Sequence, residues 1–196
     1  MPKITDRAYF DGALKRIVRL GLQSLWVELE GILSGFELLV AERRDANCSA
    51  EIRSILDERF RGTKGWFPGR QVDWTKCQDL NRAKVGIGVE IQFSGEDDLL
   101  LLDIAHLRDE LVAGRIDVGV ILVPSEQLAP FLADRVARFT DAMMAIERAG
   151  VQDLPLIVIS LGHDGPGHAL KKCKVRRPSA RLSDYGGQPL SSTMVL

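Results

Sequence analysis

The chain has 196 residues, of which 45% are apolar and 27% charged, and 26 basic side chains against 27 acidic ones leave a net charge of −1. That length suits one ordinary domain, and the apolar share is enough to bury a core. The balanced charge excludes a uniformly basic coat for nucleic acid but leaves room for a local basic patch. No run of eighteen apolar residues occurs, so no transmembrane helix and no membrane partner are expected. The start, Met1-Pro2-Lys3-Ile4-Thr5-Asp6-Arg7, carries charge where a signal peptide needs an apolar run, so a cytoplasmic location is expected. Cys48, Cys77 and Cys173 are far apart and form no CxxC, which argues against a disulfide framework or a structural zinc site.

Residues 10–45 carry Leu14, Val18, Leu22, Leu25, Leu29 and Leu33 at helical spacing, with Gly31 and Gly35 as expected breaks. Ser49 caps a second predicted helix with Ile52, Ile55, Leu56 and Phe60 on its apolar face, ended by Gly62 and Gly65. A hairpin follows: Gln71–Cys77 as a strand, Gln78–Arg82 as the turn, then Val85, Ile87, Val89, Ile91 and Phe93 in strict alternation with Gly86, Gly88, Glu90 and Gln92. Leu100, Leu101, Ile104, Leu107, Leu111 and Val112 predict a helix stopped by Gly114, and Ile116–Val123 a buried strand. Ser125 is expected to cap one long helix holding Leu128, Phe131, Leu132, Phe139, Met143 and Ile146, and Leu154–Leu161 reads as a last buried strand. This order predicts an α/β fold with a mixed sheet flanked by helices. After Gly162 the chain turns to loop, and Lys171, Lys172, Lys174, Arg176, Arg177 and Arg181 place six basic residues in eleven positions.

The chemistry concentrates on the alternating strand. Glu90 and Gln92 leave the same face, and Gly86 and Gly88 keep that face open. A half-wet antiparallel sheet accounts for such polar positions equally well. A second acid adds weight to a site. A turn centred between residues 81 and 82 sets Asp73 directly across from Glu90, with Cβ atoms about 4.5–5.5 Å apart. Two carboxylates that close repel unless a cation lies between them, and oxygen ligands of this kind suit Mg²⁺. Asp79 is the alternative first acid, although pairing it with Glu90 moves the turn into the alternating run.

Asp73, then Glu90-x-Gln92, then helix, strand, helix and strand resemble the PD-(D/E)XK nuclease core. Gln92 in the usual lysine position is similar to the BglII-like type II restriction endonucleases. Lys64-Gly65-Trp66, Val72–Lys76, Val89–Phe93 and Ile116–Ile121 resemble that family's segments in order, over residues 49–161. Two features depart from the pattern: no proline precedes Asp73, and the hairpin is longer, which keeps Asp79 in play.

The resemblance implies a Mg²⁺-dependent endonuclease acting on double-stranded DNA, with Asp73, Glu90 and the main-chain carbonyl of Ile91 as metal ligands and Gln92 orienting water. It also implies a homodimer, for which the N-terminal helices are the candidate interface. The expected organisation is a single nuclease domain over 1–196, with a helical N-terminal region at 1–48, a core at 49–161 and a basic loop and tail at 162–196. Two alternatives stand beside site-specific restriction: a repair or anti-phage nuclease that recognises DNA structure, and a catalytically silent DNA-binding module on the same fold. Lys171, Lys172, Lys174, Arg176 and Arg177 are candidate phosphate contacts. Glu51 and Glu58 are candidate outer acids, read mainly as wet helix charges. His106 with Arg108 is read mainly as a helix-surface pair, and His163-Asp164 as loop, because no nucleophile motif accompanies it.

Overall fold

The computed structural model describes residues 3–81, 83–93 and 97–171. Of the basic run only Lys171 is among them, and Lys172, Lys174, Arg176, Arg177 and Arg181 lie outside the described residues.

Five strands form one mixed sheet in the order β1-β6-β5-β4-β3. They are β1 (Ile4–Tyr9), β3 (Trp74–Leu80), β4 (Ala83–Ile91), β5 (Val118–Pro124) and β6 (Leu156–Leu161). The inner strands β4, β5 and β6 run parallel, while β1 and β3 are antiparallel edges. Every residue of β5 and β6 is buried, as expected for parallel strands covered on both faces. A two-stranded parallel pair, β2 (Leu39–Val40) with β7 (Gly165–Pro166), sits apart from this sheet.

Helices cover both faces. One core joins Val85, Ile87, Val89 and Ile91 of β4 to α1 (Ala13–Arg19), α2 (Gln23–Ser34) and α3 (Ser49–Gly62). The other core joins Ile121, Val123, Leu156 and Val158 to α4 (Asp97–Val112) and α5 (Phe139–Ala149). Phe60 on α3 stacks on Trp74 of β3 with ring centroids 5.5 Å apart, which ties α3 to the edge strand. Cys48 and Cys77 are free thiols. Among the described residues no helix is long and apolar enough to cross a membrane.

The chain departs from its sequence reading in several places. Residues 1–48 are not all helical, because β1 forms a sheet edge against β6. Only Ile4 of β1 is buried, so the strand lacks the alternation that would announce it, and Ser160 anchors it by bonding both the Asp6 amide (3.0 Å) and the Asp6 carboxylate (2.8 Å). The break within the N-terminal helical stretch falls at Gly21, in the left-handed region at φ 66°, while Gly31 lies inside α2. Residues 125–146 are not one helix. Ser125 instead holds the Leu128 amide at 3.1 Å, a 3-10 turn covers Ala129–Phe131, and the chain then bonds to Asn47 before α5 starts at Phe139. Pro130 lacks the N–H that a continuing helix needs. Finally, β3 runs on through Gln78, Asp79 and Leu80 to pair with Ala83, taking in residues expected in the turn.

The glycine face of β4 is also covered rather than open. A Cβ at Gly88 would lie 2.6 Å from Ile116 Cδ1, and one at Gly86 would lie 2.8 Å from the Lys76 carbonyl oxygen. Backbone cannot yield as a side-chain tip does. Gly86→Ala is therefore expected to cost about 1–3 kcal/mol through overpacking, read as a lowered urea midpoint with an unchanged slope.

Candidate active site

The β3–β4 register fixes the centre of the site. Trp74 pairs with Val89, so Asp73 falls beside Glu90. The Asp73 N–H donates to Glu90 Oε2 at 3.3 Å, and the Ile91 N–H donates to Asp73 Oδ2 at 2.8 Å. Asp79 pairs with Lys84 instead and is exposed. Six residues along a strand separate it from Asp73 by about 20 Å.

Helix α3 contributes a cation. Its buried stripe of Ile52, Leu56 and Phe60 faces the core, and Arg53 and Asp57, one turn apart, point toward the end of the hairpin. Arg53 donates through Nη2 to Asp73 Oδ1, through Nη1 to the Ile91 carbonyl at 2.6 Å and through Nε to Asp57 Oδ2 at 3.1 Å. Asp57 is held in turn by the Trp74 indole N–H at 2.9 Å. Burial alone would lower the Arg53 pKa, but the charges of Asp73 and Asp57 and the bonds to them raise it overall.

Helix α4 closes the opposite side. Leu100, Ile104 and Leu107 pack it against the sheet, and Asp103 and His106, three residues apart, share its site-facing side. His106 Nδ1 lies 3.4 Å from Glu90 Oε1. Glu90, Asp103 and His106 each bring a donor atom to within 4.8 Å of the others. Glu90 is only 3% exposed and its Oε1 has no hydrogen-bond partner. Gln92, on the same strand face, is equally buried; its amide Nε2 is unpartnered while its backbone N–H donates to Leu122.

The electrostatics follow from this crowding. Burial, then the charges of Asp73 and Asp103, push the Glu90 carboxyl up to about 10. Burial and Asp73 push Asp103 to about 7, with Arg53 opposing. Three carboxylates thus crowd together, and Arg53 bonds Asp73 and neither of the other two. The oxygen-rich set of Asp73, Glu90 and the Ile91 carbonyl fits a hard divalent cation, and the guanidinium between Asp73 and Ile91 occupies the position of a positive charge.

The sequence-predicted residues Asp73, Glu90, Ile91 and Gln92 come together here. Arg108 does not join His106; it pairs with Asp109 on the surface. Glu58 is exposed and lines a separate groove with Phe36 and Arg59. His163-Asp164 is structural, because Asp164 accepts from the Leu38 amide at 2.7 Å and pairs with Lys3 at 3.2 Å. Arg53, Asp57 and Asp103 are missing from the sequence reading. Their one signal, acid and base at helical spacing beside a buried stripe, is shared by most solvated helix faces.

A five-stranded mixed sheet between helical layers, with an acidic cluster where an edge hairpin meets the central strands, defines a nuclease of the restriction-endonuclease-like class. The family model described as restriction endonuclease BglII/BglIII matches residues 14–161, and the chain belongs to that family. It is therefore a type II site-specific deoxyribonuclease, a DNA endonuclease. No curated protein matches the chain.

Because the Glu90 carboxyl is raised from 4.5 to about 10, the native protein keeps a proton that the unfolded chain has lost. The stability contributed by this group is complete below pH 4.5 and lost as pH rises toward 10. Glu90→Gln is accordingly expected to stabilise the metal-stripped protein at pH 8 by at least about 1 kcal/mol, or about 2–4 °C in Tm, and by much less at pH 5. Thermal unfolding across that range checks it; a lower Tm at pH 8 would contradict it.

Proposed function

We propose that this endonuclease is Mg²⁺-dependent, cuts a short specific duplex site, and does so with Asp73, Glu90 and the Ile91 carbonyl as metal ligands. The observation that carries the reading is the meeting of Asp73 with a Glu90 whose buried Oε1 has no hydrogen-bond partner. A carboxylate so placed needs a proton or a cation. Mg²⁺ bound there would polarise the scissile phosphodiester and lower the pKa of the attacking water.

The remaining work falls to the chain. Glu90 and Asp73 would hold the ion, and the bond from the Ile91 N–H to Asp73 Oδ2 keeps the Asp73 carboxylate in place. Gln92 orients the attacking water through its amide, which has no proton-accepting pKa near neutrality, so the proton passes to substrate phosphate or solvent. The basic stretch beginning at Lys171 is suited to phosphate contacts, which position a duplex without reading its sequence. The whole chain acts as one nuclease domain in the cytoplasm, in keeping with its free thiols.

One site per chain and two strands to cut call for a homodimer whose two-fold axis matches that of a palindromic target. Exposed apolar residues gather on two helix pairs: Leu14, Val18 and Val27 on α1 and α2, and Leu99, Leu101, Leu102 and Met144 on α4 and α5. Sedimentation of Val18→Glu and Leu102→Glu tells which pair forms the contact: the substitution in the true interface yields monomer, and the other leaves the dimer intact.

Plasmid DNA incubated with Mg²⁺ is expected to give discrete bands. Asp73→Ala or Glu90→Ala should lower the cleavage rate by at least about 10³-fold while duplex binding survives, and Asp79→Ala should cut normally. Loss of cutting in Asp79→Ala with retention in Asp73→Ala would move the first ligand. Preference for nicked or branched substrates, without discrete bands, would replace sequence-specific cutting by structure-specific repair or anti-phage cleavage.

A further inference from the structure

We propose that Glu90 Oε1, Asp103 and His106 form a second divalent-cation subsite on the α4 side of the pocket, one that favours imidazole-accepting ions such as Mn²⁺ and Co²⁺ over Mg²⁺. The proposal rests on reading the pocket as a metal centre, and it concerns donors that the Asp73–Ile91 side does not use.

The two oxygens of Glu90 face different neighbours. Oε2 accepts from the Asp73 amide at 3.3 Å, whereas Oε1 is unpartnered in a side chain only 3% exposed and lies 3.4 Å from His106 Nδ1. A carboxylate turned both ways can bridge two ions, one on each side.

Compensation of charge is also divided. Arg53 spends its hydrogen bonds on Asp73, the Ile91 carbonyl and Asp57. On the α4 side, two carboxylates face an imidazole, and Arg53 reaches Asp103 by its charge but makes no hydrogen bond to it. Among the described residues, neither Glu90 nor Asp103 is ion-paired with a lysine or arginine.

The donor geometry is close to complete. The three ligand atoms lie within 4.8 Å of one another, and donors about 2.0–2.2 Å from a shared ion sit about 3–4 Å apart. Glu90 and the backbone of α4 are fixed by packing, while Asp103 and His106 are half-buried and can close the difference by rotation about their side-chain bonds. Imidazole suits ions such as Co²⁺, Ni²⁺ and Zn²⁺; Mn²⁺ favours oxygen but accepts imidazole more readily than Mg²⁺, which prefers oxygen and retained water. One ion on each side of Glu90 would let the site stabilise the attacking and the leaving oxygen of one phosphodiester.

The test titrates the metal-stripped full chain with Mn²⁺ by calorimetry and with Co²⁺ by visible absorption, and with Mg²⁺ for comparison. The wild type is expected to take up two Mn²⁺ or Co²⁺ ions. His106→Ala and Asp103→Asn should each remove one of them or weaken it at least tenfold, with the Co²⁺ absorption losing its imidazole contribution and Mg²⁺ affinity changing less than threefold. Asp73→Asn should weaken the other ion. His106→Gln, which keeps a polar side chain of similar size, repeats the measurement should the alanine variant fail to fold. A single ion that is unaffected by His106 and Asp103 substitutions but lost in Asp73→Asn would overturn the second subsite and leave the first intact. A wild-type chain that binds no divalent cation would overturn both.

Discussion

The carboxylate of Glu90 sits at the end of the inner strand β4 with one oxygen lacking a hydrogen-bond partner, and the rest of the site is organised around it. A buried, unpaired charge is among the least tolerable features of a fold. With no cation beside it, the group holds its proton far above the usual carboxylate range, because burial and the nearby Asp73 and Asp103 all oppose ionisation. Folding alone would have been served better by an apolar side chain at this position, as at Ile121 on the neighbouring strand, with which Glu90 is paired.

The topology explains how so many polar groups reach one strand end. An edge hairpin places Asp73 against β4 by backbone register, which is rigid. Helices on opposite faces of the sheet then approach the same end, α3 with Arg53 and α4 with Asp103 and His106. Each helix is seated by its own apolar stripe, so the polar residues are placed by packing rather than by attraction to the acids. The Phe60–Trp74 stack matters in this respect, because it fixes α3 to the strand that Asp73 precedes. Trp74 serves the site again by donating its indole N–H to Asp57, which in turn holds Arg53.

The sheet and the centre of the site were legible in the sequence for a clear reason. Alternation in Val85–Phe93 specifies which residues share a face, and a two-residue reversal specifies which residue of β3 meets Glu90. That arithmetic separates Asp73 from Asp79. Arg53, Asp57 and Asp103 were not legible, because a polar residue on an amphipathic helix reads as solvated until the helix is placed. Edge strand β1 was hidden for a related reason, since its mostly exposed, charged residues show no period of two. The break after Ser125 was masked by apolar residues that continue at helical spacing; their partner there is Asn47, far away in sequence.

Arg53 sets the terms on which any cation can enter. Its guanidinium bonds both Asp73 Oδ1 and the Ile91 carbonyl, the two donors that the proposed divalent ion on that side would need. Binding of such an ion would therefore be an exchange of one cation for another, in which a single positive charge spread over a planar group gives way to a compact double charge. The double charge has the advantage among three carboxylates, since Coulomb attraction grows with charge and with close approach. The cost lies in freeing Arg53, and Asp57 limits it. The Nε bond to Asp57 does not involve Asp73 or Ile91, so the guanidinium can leave both donors and stay paired on α3. The arginine that neutralises Asp73 in the metal-free protein would thus keep Asp57 as a counter-ion after yielding the acid.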